Sequence, residues 1–164
     1  MPGCRTTGTI ARMKSADCPS ASLSVVIVLY YSPENLLQRT LDSLRKAAAA
    51  ARASGHLDEL TVYLVNNTPT PDYRERIRER VGQWQWQREI PIIYDEPASN
   101  LGFGAGNNSV MPLLDSEYHL ILNPDVELEE ATLTRGLARL ASEPGIVLLS
   151  PWASGSGGEQ EFLC

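Results

Sequence analysis

The residues Leu23 to Tyr31, LSVVIVLYY, form an almost unbroken apolar and β-branched run, and Ser-Pro follows directly. An apolar run without alternation is the pattern of a strand covered on both faces, which is characteristic of parallel sheets. A parallel neighbour needs a crossover connection, and the sequence supplies one. Ser32 offers an N-cap and Pro33 a first helical residue. Leu36, Leu37, Leu41, Leu44, Ala48 and Ala51 then recur at helical spacing, and Gly55 is a stop signal.

The plan repeats along the chain. LTVYLV (Leu60 to Val65) predicts a second strand, NNTPTPD (Asn66 to Asp72) a loop, and YRERIRERV a helix with Tyr73, Ile77 and Val81 on its buried face. The Arg/Glu alternation on that helix reads as a solvated face. IPIIY (Ile90 to Tyr94) predicts a third strand, followed by the NLGFGAGNN loop and a helix reaching Leu114. YHLIL is a further strand, Leu133, Leu137 and Leu140 stripe another helix, and GIVLLS (Gly145 to Ser150) predicts a last strand. Strands alternating with helices imply an α/β fold with an open, mostly parallel sheet flanked by helices. Ligands in such sheets lie beyond the carboxyl ends of the strands. The residues that matter are therefore Leu29 to Ser32, Asn66 to Asp72, Asn100 to Asn108 and Asn123 to Glu127.

Each strand end has two readings. Pro124 blocks strand extension and fixes φ, so Asp125 is aimed by a rigid turn. Its carboxylate either holds Mg²⁺ or Mn²⁺ against a diphosphate, or caps the helix that follows. In SNLGFGAGNN the glycines fall at Gly102, Gly104 and Gly106, which is GxGxG, so a dinucleotide fingerprint is weak. The loop either brings backbone close to an anionic ligand or is a tight turn with capping asparagines. Asn66 and Asn67 either read a base edge or form Asx turns in a Pro-rich loop. Tyr30 and Tyr31 either stack on a ligand or pack inward. His56 and His119 show no Ser, Cys or metal-ligand pattern around them, and QWQWQ (Gln83 to Gln87) reads as a half-buried edge segment.

Composition removes several classes. A net charge of −6 argues against a nucleic acid held by a basic surface. Cys4, Cys18 and Cys164 have no disulfide or metal spacing, which favours a reducing compartment. No apolar run is long enough to cross a bilayer. Residues 1–22 have no apolar h-region and read as a disordered tail, leaving 23–164 as one domain.

The order SVVIVLYYSPENLLQRTLDSL, VYLVNNTPTPD, NLGFGAGNN, YHLILNPDVEL resembles the family 2 glycosyltransferases, most closely a rhamnosyltransferase-like branch in which the metal motif reads Asn-Pro-Asp. The resemblance covers about Leu23 to Cys164 and implies a GT-A, Rossmann-like fold, incomplete at the C-terminus. By that resemblance Leu29, Tyr30 and Tyr31 face the nucleobase, Asn66 stands where the family usually has a base-contacting Asp, and Asn67 adjoins it. Asn100, Gly102, Gly104 and Asn107 lie along the nucleotide sugar. Asp125 binds Mg²⁺ or Mn²⁺, and Asn123 replaces the first acid of the Asp-x-Asp motif.

The implied activity is inverting, metal-dependent transfer of a sugar, a deoxysugar such as L-rhamnose, from a dTDP- or UDP-sugar to a saccharide or lipid-linked saccharide acceptor. The setting is surface polysaccharide synthesis in the cytoplasm, at the inner face of the plasma membrane, with peripheral membrane association through segments outside this stretch. The catalytic base is expected beyond Cys164, so the catalytic residue is unknown and the chain reads as a donor-binding half. Glu159 and Glu161 precede the expected base. The alternative is a non-catalytic nucleotide-sugar-binding or interaction module.

Overall fold

The computed structural model describes residues 20–84 and 89–155. Four strands, β1 (Ala21–Leu29), β2 (Leu57–Asn66), β3 (Ile92–Asp95) and β4 (Tyr118–Ile121), form one sheet in the order β3-β2-β1-β4. The three pairings between these strands are parallel: Val25 sits beside Val62 on one side and Leu120 on the other, and Val62 beside Ile92. The helices are α1 (Glu34–Ala53), α2 (Pro71–Gln83), α3 (Gly102–Asn108) and α4 (Thr132–Ser142). This is the expected open parallel α/β sheet.

The two faces of β1 are both apolar, but they meet different partners. Val25, Ile27 and Leu29 point into a core shared with Leu37, Leu41 and Leu44 of α1, Ile77 of α2, and Leu133 and Leu137 of α4. Val26 and Val28 point the other way, to Tyr63, Val65 and Val110. Burying a Leu or Ile side chain stabilises by about 1.5–3 kcal/mol, so the α1 face supplies most of the apolar driving force.

Several boundaries depart from the sequence reading. β1 starts at Ala21, inside the span read as tail, because its amide bonds to the His56 carbonyl at 3.0 Å. The rest of that tail, 1–19, lies outside the described residues, as do four of the QWQWQ-region positions, 85–88. Ser32 does not cap α1. Pro33 is the capping residue in an extended conformation (φ −61°, ψ 127°), and its carbonyl receives the Leu36 and Leu37 amides. β2 begins three residues before Leu60, and β3 is shifted two residues past Ile90. The helix expected to reach Leu114 stops at Asn108, and a separate 3₁₀ turn, Met111–Leu113, follows with Pro112 inside it.

The strand expected over Gly145 to Ser150 is absent. The segment turns after α4, with the Ile146 amide on the Glu143 carbonyl, and Leu149 reaches over Gly136 of α4, 3.7 Å from where a Cβ would stand. The segment is in no strand pairing with β4, whose pairing is with β1. Val147 and Leu148 are 96% and 86% exposed.

Candidate functional site

A cleft of about 400 Å³ opens at the carboxyl ends of β1 and β4. In the order β3-β2-β1-β4 the chain runs outward from β1 to β3, then returns to the far side of β1. The cleft lies at this reversal, where open α/β sheets part to admit ligands. Tyr30, Tyr31, Asn123 and Asp125 line it together with Val28, Ser32, Pro33, Phe103 and Pro124.

The Asp125 wall is built from β4 outward. The Leu122 amide extends the ladder to the Val26 carbonyl at 3.0 Å, and Leu122 is buried. The chain then reverses in a turn closed by the Val126 amide on the Asn123 carbonyl, 3.3 Å. Pro124 occupies the second turn position, where its fixed φ is preorganised. Two buried hydroxyls of α1 clamp the turn: Thr40 Oγ1 donates to the Pro124 carbonyl (2.9 Å), and Ser43 Oγ accepts the Leu128 amide (3.0 Å). Arg39 pairs with Glu127 beside them. Asp125 is exposed, and α4 begins only at Thr132 with Ala131 as its capping residue. The reading of Asp125 as a helix cap is therefore overturned.

The opposite wall is aromatic. Tyr30 and Tyr31 are about half exposed and meet edge to face, with ring centroids 4.9 Å apart. Tyr31 has φ 50°, the left-handed region that non-glycine residues rarely enter. Thr68 holds it there, its Oγ1 accepting the Tyr31 amide at 2.9 Å, while the Tyr31 hydroxyl meets Thr70 Oγ1 at 2.6 Å. Strain of this kind persists only where the surroundings over-determine it, and it clusters at functional sites.

The other sequence candidates are placed less directly. Leu29 is a correction: it is fully buried in the α1-face core, and its carbonyl is taken by the Asn67 amide at 2.9 Å. It is the last strand residue, and strand alternation turns it inward. Asn66 and Asn67 sit behind the cleft, 0% and 1% exposed, with their amides already engaged. Asn66 donates to the Tyr94 hydroxyl (2.8 Å) and accepts the Thr68 amide (3.1 Å). Asn67 donates to the Gly102 carbonyl (2.9 Å), tying β2 to the glycine loop.

Asn100 accepts the Gly102 amide at 2.8 Å in an Asx turn, and Gly102 needs its glycine for φ +77°. Gly104 is exposed with open space where a Cβ would stand, whereas a Cβ on Gly106 would meet Val28 at 3.1 Å. Asn107 is buried, donates to the Phe103 carbonyl at 2.9 Å, and its Oδ1 has no partner among the described residues. None of Asn66, Asn67, Asn100, Gly102, Gly104 and Asn107 lines the cleft. Phe103, between two of the glycines and half exposed, does. An aromatic residue set among glycines was the available signal for it.

His119 has neighbours that its sequence surroundings hid. Its Nδ1 lies 2.7 Å from Ser24 Oγ, which in turn receives Ser116 Oγ at 2.7 Å. Ser24 is 2% exposed and no acid among the described residues joins the group, so this is an interior hydroxyl–imidazole cluster and not a nucleophile open to substrate.

Among the described residues, no three His, Cys, Asp or Glu side chains gather as a self-sufficient metal site. Asp125 and Asn123 are the cleft residues whose side-chain oxygens could contribute to holding a hard divalent ion, which commonly takes its other ligands from phosphates and water. No helix among the described residues is long and apolar enough to cross a membrane.

No curated protein matches the chain in sequence. Among solved structures it is similar to a mannosyltransferase from Pyrobaculum calidifontis in complex with GDP-Man and Mn²⁺, with TM-score 0.59 and 16% identity. The match covers 79% of this chain and 36% of that one, so the chain spans about a third of the length of this neighbour. At that identity the likeness speaks for the fold, a GT-A, Rossmann-like sheet. The family model described as glycosyl transferase family 2 matches residues 24–163, nearly the whole described structure, and the chain belongs to that family.

Proposed function

We propose that this domain binds a nucleotide-diphosphate sugar and forms the donor-binding part, residues 23–164, of a metal-dependent inverting glycosyltransferase. The observation that carries the reading is the convergence of Tyr30, Tyr31, Asn123 and Asp125 on one cleft at the topological reversal of the sheet. The half-exposed tyrosine rings offer π-faces to a nucleobase. Asp125 and Asn123, clamped through Pro124 and Leu128 to α1, would hold Mg²⁺ or Mn²⁺ beside the diphosphate. When bound, that ion would offset the charge growing on the leaving diphosphate. The chain's own residues supply orientation: a rigid turn aims the carboxylate, and a left-handed Tyr31 sets the facing wall.

The resemblance to a rhamnosyltransferase-like branch, carried by Asn123-Pro124-Asp125, implies a deoxysugar donor such as dTDP-L-rhamnose, or a UDP-sugar. The same resemblance implies a saccharide or lipid-linked acceptor in surface polysaccharide synthesis at the cytoplasmic face of the membrane. Among the described residues Asp125 is the one acid lining the cleft, and the metal claims it. In this reading the base that deprotonates the acceptor hydroxyl comes from outside the described residues. The same observation favours a second reading, a nucleotide-sugar-binding module without turnover.

Titration calorimetry with dTDP-, UDP- and GDP-sugars, with and without Mn²⁺, tests the donor site. Binding that depends on Mn²⁺ and loses that dependence in Asp125→Ala is expected. Absence of binding to all of these donors would falsify the reading. Transfer to a saccharide acceptor separates enzyme from module.

A further inference from the structure

Tyr94 and Glu96 lie at the end of β3, across β2 from the cleft, and neither lines it. Yet a continuous, directional chain of hydrogen bonds runs from them to Tyr31. Arg78 of α2 donates to Glu96 Oε2 at 2.7 Å, and the Tyr94 hydroxyl donates to Glu96 Oε1 at 2.7 Å. A carboxylate only accepts, so the Tyr94 proton is committed to Glu96 and the phenol oxygen is left to accept. Asn66 Nδ2 fills that role at 2.8 Å. Its amide is thereby oriented with Oδ1 toward the Thr68 amide, 3.1 Å away, and Thr68 Oγ1 accepts the amide of the left-handed Tyr31 at 2.9 Å. Arg74 closes the assembly from α2, donating to the carbonyls of Thr68 (2.6 Å) and Pro97 (2.7 Å).

Both interior links, Asn66 and Thr68, are 0% exposed, so water cannot replace a lost bond without rearrangement. Burial pushes the Glu96 carboxyl up, but the hydrogen bonds from Tyr94 and Arg78 outweigh it, and the group lies below its ordinary range. Burial raises the Tyr94 phenol, which keeps its proton. Both directions suit the bond polarity of the chain.

We infer that Tyr94 and Glu96 are positioning residues for the cleft: through Asn66 and Thr68 they hold Tyr31 in the conformation that presents its ring to a bound nucleotide. The purpose rests on the donor-cleft reading above; the geometry does not. It also accounts for an amide at position 66. An aspartate there would compete with Glu96 for the single Tyr94 proton.

The test combines a ligand-free and a ligand-bound readout. Amide hydrogen exchange measured by NMR is expected to be about tenfold faster at Tyr31 in Tyr94→Phe than in the parent chain, with a smaller rise in Glu96→Ala. UDP binding with Mn²⁺ is expected to weaken about fivefold in Tyr94→Phe, and to weaken no further when that change is made in a Tyr31→Ala background. A merely structural role would lower stability without this non-additivity. Unchanged Tyr31 exchange in a folded Tyr94→Phe overturns the relay, and so do losses of affinity that simply multiply in the double variant. If Tyr94→Phe does not fold, Glu96→Ala carries both measurements. Accelerated exchange in a chain whose parent binds neither UDP, dTDP nor GDP supports the relay and overturns the donor cleft instead.

Discussion

The two faces of the sheet are built to different standards. On the α1 face the side chains of β1 and β2 meet three helices, and Ile27, Leu29, Leu41, Leu44 and Leu64 have no exposure at all. On the α3 face the cover is one short helix and a 3₁₀ turn, over Val26, Val28, Tyr63 and Val65. There Ile121 of β4 is 55% exposed. The two buried side-chain atoms without partners among the described residues, Asn107 Oδ1 and His119 Nε2, also belong to elements of this side. The sealed face fixes where the strand ends stand, and through Thr40 and Ser43 it also clamps the turn that presents Asp125. The open face is where surface remains to meet something else.

The sharpest way to break this contrast is to delete apolar volume from each face in turn. Leu44→Ala on the sealed face should cost about 2–5 kcal/mol of unfolding free energy, because no solvent can enter the space left. Ile121→Ala on the open face should cost well under half as much, since more than half of that side chain is already in water. Urea denaturation measures both. Equal losses would mean that the faces are not energetically distinct.

A smaller effect separates two glycines of α3. Gly106 packs so closely on β1 that an added Cβ would lie 3.0 Å from Asn67 Nδ2 and 3.1 Å from Val28. Gly106→Ala should destabilise by about 1–3 kcal/mol, as overpacking does. At Gly104 no described residue stands within 4 Å of an added Cβ, so Gly104→Ala should stabilise by about 0.5–1 kcal/mol through helix propensity. Thermal melts of the pair settle whether α3 approaches the sheet at residue 106 alone. Next in size is Thr40→Val, which keeps the shape of a buried residue but removes its bond to the Pro124 carbonyl. A loss of about 1 kcal/mol is expected. The more telling measurement is Mn²⁺-dependent nucleotide affinity, which should fall if the sealed face aims Asp125.

The sequence made the alternation of strands and helices readable, and with it the rule that places a site at strand ends. Tyr30, Tyr31, Asn123 and Asp125 were singled out that way, because each lies within four residues of a strand's carboxyl end, and all four line the cleft. Residues one step removed were misread. Leu29 belongs to the ligand-facing end in sequence but to the sealed core by strand parity. Asn66 looked free to read a base because its partner Tyr94 lies 28 residues away. Gly145 to Ser150 has the composition of a strand, but a strand forms only beside a neighbour, and here the chain turns at Glu143 to Ile146 and leaves Val147 and Leu148 exposed. Local pattern reports which face a residue prefers and not which partner it finds.

The smallest expected effect concerns acid. Burial holds the His119 imidazole below its ordinary value, with uncharged Ser24 at Nδ1 and, among the described residues, no partner at Nε2. A histidine with a depressed folded pKa contributes stability that is full above its unfolded value of about 6.5 and is lost as pH falls through the folded value. Below about pH 6.5 the unfolded chain therefore takes up a proton that the folded chain refuses, and one such site gives a slope of at most about 1.4 kcal/mol per pH unit. Glu96 acts in the same direction at lower pH, since its folded value is also depressed. Denaturation curves from pH 7 down to pH 5.5 sample the histidine before the carboxylates contribute. In His119→Gln the slope over that interval should flatten, while Ser24→Ala, which leaves the imidazole in place, should keep it. An unchanged slope in His119→Gln would mean that water reaches Nε2 freely. The open face would then be solvated at β4 and not merely thinly covered.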